Sequence, residues 1–317
     1  MNPPIGRSVG RRGPSVAVLS LLALALAACS GGAPSAPAQT DPSGRPTGVL
    51  RVVATTTVFA DIIRNVGGER VSVESIIPAG VGPEDYEPKP DDARRLVAAD
   101  LVVSNGVGLD DFLGKLVDAN ASATPRLILG EGIPTIDVDG RPNPHFWLDP
   151  TLVRDHYLPA IAAKLTELDP AGKATYDANA TAYSTRLTDL DTELQKKVAT
   201  IPAADRKLVT FHDAFPYFAR HFGFEMVGVV LANVGQDPTA GDLARLVEKV
   251  KAAGVRAVFS EAQFSPKLSQ TLADEAGVTR VVTTLYNDAL GPAPADSYLG
   301  LMRWNVDQVV AALSSAG

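Results

Sequence analysis

Lys173–Thr200 (KATYDANATAYSTRLTDLDTELQKKVAT) carries one apolar stripe: Tyr176, Ala180, Tyr183, Leu187, Leu190, Leu194 and Val198. The steps are three or four residues throughout, which fits one face of a 3.6-residue helix. No Gly or Pro interrupts the stretch. At 1.5 Å per residue it spans roughly 40 Å, about the length of a whole domain. This predicts a stiff strut along two lobes; a helical hairpin inside one lobe is the alternative. Leu152–Leu168 reads as the helix before it, with the turn at Asp169-Pro170.

On both sides of the strut, β-branched runs alternate with amphipathic ones. Before it, Val49–Thr56, Arg70–Ile77, Asp100–Ser104 and Arg126–Leu129 read as strands, with helices at Val58–Val66, Asp91–Ala98 and Leu109–Asp118. After it, Lys207–Phe211, Phe224–Leu231, Arg256–Ser260 and Thr279–Thr284 read as strands. The helices there are Ala214–Phe222, Ala240–Ala253, Pro266–Ala276 and Ser297–Ser314. The rhythm predicts an α/β fold: two similar lobes, each a mainly parallel sheet flanked by helices, joined by one long backbone helix. A ligand cleft is expected between the lobes, beyond the carboxyl ends of the strands. The boundaries read as residues 49–170 for the N-terminal lobe, 171–200 for the linking helix and 201–317 for the C-terminal lobe.

Arg7, Arg11 and Arg12 precede the apolar run Ser15–Ala28. That run is short for a membrane span and of the right length for a signal-peptide core. It closes on Leu26-Ala27-Ala28-Cys29, which resembles the bacterial lipobox. Residues 1–28 are therefore expected to be a lipoprotein signal peptide, Cys29 the lipidated residue and 29–48 a flexible Ser/Gly/Pro-rich tether. The body would sit lipid-anchored outside the cytoplasmic membrane, at the cell surface or in the periplasm. Cys29 is the single cysteine of the 317 residues, which rules out a disulfide framework and any Cys-based metal cluster. The net charge of −7 becomes −10 once the leader's three arginines are removed, which argues against nucleic acid as a partner.

Four ligand-type side chains fall on loops facing the expected cleft. His212 directly follows the KLVTF strand, and Asp288 follows the TRVVTT strand. His145 lies in the loop Asn143–Pro150, and Glu84 in the Gly/Pro-rich loop Gly80–Pro88. Two imidazoles and two carboxylates suit Zn²⁺, Mn²⁺ or Fe²⁺. Spacing alone leaves open that these histidines are ordinary hydrogen-bonding loop residues. His156 and His221 fall inside helices and read as structural. Asp213 and Glu261 read as supports for ligands or loops, with Asp213 also placed to cap the following helix.

Several of these segments share a pattern. They are the Gly-x-x-Pro-x-x-Tyr-Glu-Pro loop (Gly80 to Pro88), Pro144-His145-Phe146-Trp147-Leu148-Asp149-Pro150 and Phe211-His212-Asp213-Ala214-Phe215-Pro216-Tyr217-Phe218. With them go Glu261–Lys267 (EAQFSPK), the Asp288 turn and Tyr298–Asn305. In this order, the chain from about Arg51 onward resembles the metal-binding lipoproteins of bacterial zinc and manganese ABC importers. The resemblance implies a Zn²⁺ or Mn²⁺ ion held between the lobes and passed to a membrane permease driven by an ATPase, with the binding protein acting as a monomer. It also implies metal ligands at His145, His212 and Asp288. The usual first histidine is replaced by Glu84, a residue able to bind the same ion through oxygen, with Asp85 as its substitute. Zinc is expected ahead of manganese, because an N/O site binds Zn²⁺ more tightly and a histidine at the third position resembles the zinc-type members. A receptor for an organic ligand, an adhesin or a secreted metallohydrolase are the competing readings. The last is disfavoured because the chain has no His-Glu-x-x-His pattern.

Overall fold

The computed structural model describes residues 48–83, 86–231 and 238–314. The expected signal peptide, Cys29, Glu84 and Asp85 lie outside these residues.

The first half is a parallel sheet. Its elements are β1 (Leu50–Ala54), α1 (Thr57–Gly67), β2 (Val71–Ser75), α2 (Pro90–Val97), β3 (Leu101–Ser104), α3 (Asp111–Asn120) and β4 (Arg126–Ile128), in strand order β2-β1-β3-β4. A hairpin follows, β5 (Asp137–Val138) with β6 (Arg141–Pro142). It turns on Asp139 and Gly140, both at positive φ. Asp-Gly is a strong two-residue hairpin signal.

The next helix is not continuous as expected. It starts as α4 (Pro150–Leu152), widens into a π turn at Val153–Tyr157 and continues as α5 (Leu158–Leu168). Pro159 has no N–H to give back to the preceding turn, and the wider turn accommodates that loss. The long helix α6 (Lys173–Val198) follows, 26 residues and about 39 Å at the standard rise.

The second half holds β7 (Lys207–His212), α7 (Pro216–Phe222), β8 (Glu225–Leu231), α8 (Ala240–Ala253), β9 (Val258–Glu261), α9 (Lys267–Ala276), β10 (Val281–Leu285) and α10 (Tyr298–Leu313). Parallel pairs β7–β8 and β9–β10 meet where β7 runs beside β9. The two pairs are separate in their hydrogen bonding, but set side by side as β8-β7 and β9-β10 they parallel the order of the first half. The two lobes are thus similar α/β layers.

Strand side chains alternate between faces, and the two faces go to different cores. Val52, Ala54, Leu101 and Val103 of the first sheet join Leu208 and Phe259 of the second in one large core that includes α1, α5, α6 and α10. The opposite faces make smaller separate cores, with Val53 and Val102 in one, and Val209 and Val258 in the other. The halves are therefore fused along a shared interior. The described residues form a single compact unit.

The α6 stripe faces this shared core: Tyr176, Tyr183, Leu187, Leu190, Leu194 and Val198 are buried. α6 packs on α1 and α5 from the first half and on α10 from the second, as expected of a strut. Polar pins fix it at both ends. Asn179 donates to the Val66 carbonyl (3.0 Å) on α1, while Arg303 and Asp307 of α10 pair with Glu193 (2.9 Å) and Lys197 (2.7 Å). Among the described residues no helix is long and apolar enough to cross a membrane.

At the entry to α6, one carboxylate oxygen of Asp169 accepts from Arg70 Nε (2.7 Å) and from the Tyr176 hydroxyl (2.6 Å). The Arg70 guanidinium, helped by Tyr176, holds the Asp169 carboxyl below the usual range against the effect of burial. A depressed carboxylate contributes stability above its unfolded value, near 3.9, and loses it as pH falls through the folded value. Arg70→Ala is therefore expected to be slightly less stable than the parent to urea at pH 7. The difference should close below about pH 4. A gap that persists into acid would show that the pair acts through packing instead.

Candidate metal centre

The loop bearing His145 is fixed before the histidine is reached. Buried Asp110 accepts from the Asn105 backbone N–H (2.6 Å), the Gly106 N–H (2.8 Å) and the Thr55 hydroxyl (2.6 Å). Burial pushes the Asp110 carboxyl up, partly opposed by these three donors. Asn105 stands directly after β3; its side chain donates to the Pro144 carbonyl (2.9 Å) and accepts from the Tyr157 hydroxyl (2.5 Å). Asn143 Oδ1 then accepts from the His145 backbone N–H (3.0 Å), an Asx turn. The same oxygen lies 3.1 Å from His145 Nδ1. With Nδ1–H donating there, Nε2 keeps its lone pair for the site.

His212 ends β7, so it is a strand residue and not the first loop residue. Its Nδ1 lies 3.1 Å from Glu261 Oε1 at the end of β9, and its Nε2 lies 3.2 Å from the Asn287 amide nitrogen. Phe264 packs edge-on against its ring at 5.2 Å. Asp288 follows β10 and accepts from Gln263 Nε2 (2.7 Å). The carboxyl ends of β7, β9 and β10 thus converge on one point.

That point is where three of the four expected residues meet. One ligand-type atom each from His145, His212 and Asp288 lies within 4.8 Å of the others, and all three residues are buried. His145 Nε2 is 3.5 Å from Asp288 Oδ1, and His212 Nε2 is 3.8 Å from Asp288 Oδ2. The imidazole centroids are 5.3 Å apart at 66°. His145 Nε2 and Asp288 Oδ1 are buried without a hydrogen-bond partner among the described residues. Buried polar atoms are normally satisfied. Two unsatisfied acceptors facing each other therefore suit a cation between them. Burial pushes the Asp288 carboxyl up, but in the ion-free chain the two imidazoles, when protonated toward it, and the Gln263 amide outweigh it and hold the group below the usual range. Asp288 is thus ionised at neutral pH, as an oxygen ligand requires.

An open cavity of about 310 Å³ leads to the imidazoles. Val107 and Leu109 of the first half, Val229 and Leu231 of the second, and Asp139 and Arg141 of the hairpin line it. Asp213 also lines it, with burial raising its carboxyl, and His145, Asn143 and His212 opposing that rise.

Residues 52–312 match the family described as "Zinc-uptake complex component A periplasmic". The chain belongs to this family. Among relatives of the zinc-uptake family, the manganese-binding lipoprotein MntA of Halalkalibacterium halodurans is 34% identical over 301 residues, covering 94% of this chain and 97% of that protein. The structure of the periplasmic zinc-binding protein TroA of Treponema pallidum superposes with TM-score 0.77 at 28% identity, over 84% of this chain and all of TroA. The manganese-bound periplasmic metal-binding protein of Candidatus Liberibacter asiaticus gives 0.76 at 26% identity, over 83% of this chain and 99% of that one. The zinc-uptake family's two-lobe architecture with its long helix is the one described above.

The other expectations divide. Glu261 lies against the His212 ring and outside the three-residue cluster. Asp213 steadies the His145 loop, its carbonyl accepting from the Asn143 amide (2.7 Å). It does not cap α7, whose N-cap is Phe215, because two further residues separate Asp213 from the first helical turn. His221 is structural: it lies 2.6 Å from Asp191 on α6 and 3.3 Å from Asp149. His156 is half-buried in the π turn. The supporting roles of Asn105, Asn143, Gln263 and Asn287 were not anticipated. Their position directly after a strand or within two residues of a ligand-type residue was the available signal.

Proposed function

We propose that this chain captures one divalent transition-metal ion between its lobes, through His145, His212 and Asp288, and delivers it to an ABC permease and its ATPase. The unsatisfied, buried and mutually facing His145 Nε2 and Asp288 Oδ1 carry the reading. Family membership supports it. The role is binding and release, not turnover. Glu84, outside the described residues, is proposed as the fourth ligand. Cys29 is proposed to carry the lipid that holds a single-chain receptor outside the cytoplasmic membrane. The boundaries 49–170, 171–200 and 201–317 are kept as its working division.

The cargo is proposed to be Zn²⁺ or Mn²⁺. Zinc follows from affinity, since a mixed imidazole–carboxylate set binds Zn²⁺ above Mn²⁺. Manganese is the ion named for MntA and bound in the Liberibacter structure. The test is elemental analysis of the protein lacking residues 1–29, followed by Zn²⁺/Mn²⁺ competition on the parent and Glu84→Ala. About one equivalent per chain, tighter for Zn²⁺ and weakened in Glu84→Ala, is the expected result. No ion retained by the parent would overturn metal capture and turn the search to an organic ligand. Unchanged affinity in Glu84→Ala would leave three protein ligands.

A further inference from the structure

Glu261 is fully buried at the end of β9, yet neither carboxylate oxygen accepts a hydrogen bond among the described residues. An uncompensated buried carboxylate is among the costliest groups a core can hold. Glutamine would fill the same volume at lower cost, so folding alone gives no reason for the charge. Its ionic contact is the back of His212: Oε1 lies 3.1 Å from Nδ1, while Nε2 of the same ring faces Asp288 at 3.8 Å. The imidazole stands between a buried charge and the proposed cargo.

The other imidazole is backed differently. His145 Nδ1 lies against the neutral amide oxygen of Asn143 at 3.1 Å. The two rings, alike in sequence, are therefore electrically unequal. The segment that follows Glu261 adds two more supports, Gln263 on Asp288 and Phe264 on the His212 ring.

Resting on the metal-capture reading above, we propose that Glu261 is a positioning residue that acts on the cargo through His212. With the cargo in place it takes up the Nδ1–H, which at 3.1 Å makes no formed hydrogen bond to it in the ion-free chain, holds Nε2 toward the ion and strengthens that nitrogen as a donor. Glu261 itself never touches the ion. His212 is then the stronger imidazole ligand and His145 the weaker.

The test compares the full chain with Glu261→Gln and Glu261→Asp, titrating Zn²⁺ against a chromogenic chelator and recording ion-free melting. Glu261→Gln keeps the volume and an acceptor oxygen but loses the charge. Its Zn²⁺ affinity is expected to fall about 10–100-fold, the usual worth of an outer partner, with stoichiometry unchanged. Its ion-free melting temperature should rise or hold, because an uncompensated charge has gone. Glu261→Asp, which keeps the charge, should lie between. Affinity within twofold of the parent in Glu261→Gln overturns the proposal, and so does a lower ion-free melting temperature or a failure to fold, since a structural brace then suffices. If the parent binds no Zn²⁺, the capture reading itself fails, and this proposal with it.

Discussion

Asp288→Ala is expected to abolish tight ion binding. Asp288 offers the carboxylate oxygen of the described cluster; without it, only two imidazoles remain there. The loss should exceed the roughly 100-fold that an outer partner is worth, because a direct, charged ligand is removed. Thermal melting gives a second measure. An ion at a thousand times its Kd stabilises the folded chain by about 4 kcal/mol. For a domain approaching this size, that is on the order of 10 °C. Asp288→Ala should lose this ion-dependent rise altogether. The ion-free variant should also be less stable at neutral pH. Asp288 sits below the usual carboxylate range in the folded chain, so its contribution is present above about pH 4 and disappears as pH falls through the folded value. A variant that still melts higher with added Zn²⁺, by as much as the parent does, would remove Asp288 from the site.

Much of this architecture was legible because its signals are local. The α6 stripe and the β-branched runs state their periodicities within a few residues, and the elements formed where those periods pointed. His212 and Asp288 were legible for a topological reason: each closes or follows a strand, and parallel sheets gather such positions at one edge. What stayed hidden depends on distance. Nothing local shows that Val52 and Phe259, more than two hundred residues apart, share one core. Asn143 looks like an ordinary loop residue until the fold places its amide against Asp213, seventy residues away. The Asp139-Gly140 turn is a different case, since its hairpin signal is wholly local. The π turn at Val153–Tyr157 arose because a proline in the next turn shifted a helix whose apolar pattern looked unbroken.

The shared core has a mechanical consequence that Trp147 makes testable. Its indole is fully buried, edge-on to Phe59 of the first half (5.1 Å, 87°) and 5.1 Å from the His145 ring. Its Nε1 donates to the Asn287 carbonyl (2.8 Å), next to Asp288, and its own carbonyl accepts from the Tyr298 hydroxyl of α10 (2.7 Å). One residue thus joins the His145 loop to the Asp288 turn and both to the core. Trp147→Ala should cost about 3–5 kcal/mol, the usual range for a large aromatic truncated in a core. It should weaken Zn²⁺ binding as well, because the turn carrying Asp288 loses its clasp. Trp147→Phe separates the two effects. It keeps an aromatic ring in the core but removes the N–H along with part of the indole, leaving the Asn287 carbonyl without that donor at a cost of about 1–3 kcal/mol. If the clasp positions Asp288, Trp147→Phe should lose ion affinity out of proportion to its modest loss of stability. Equal affinity in Trp147→Phe and the parent, alongside lower stability, would mean that the lobes hold the Asp288 turn without this hydrogen bond. Metal capture would then tolerate movement between the two loops, and release could begin there.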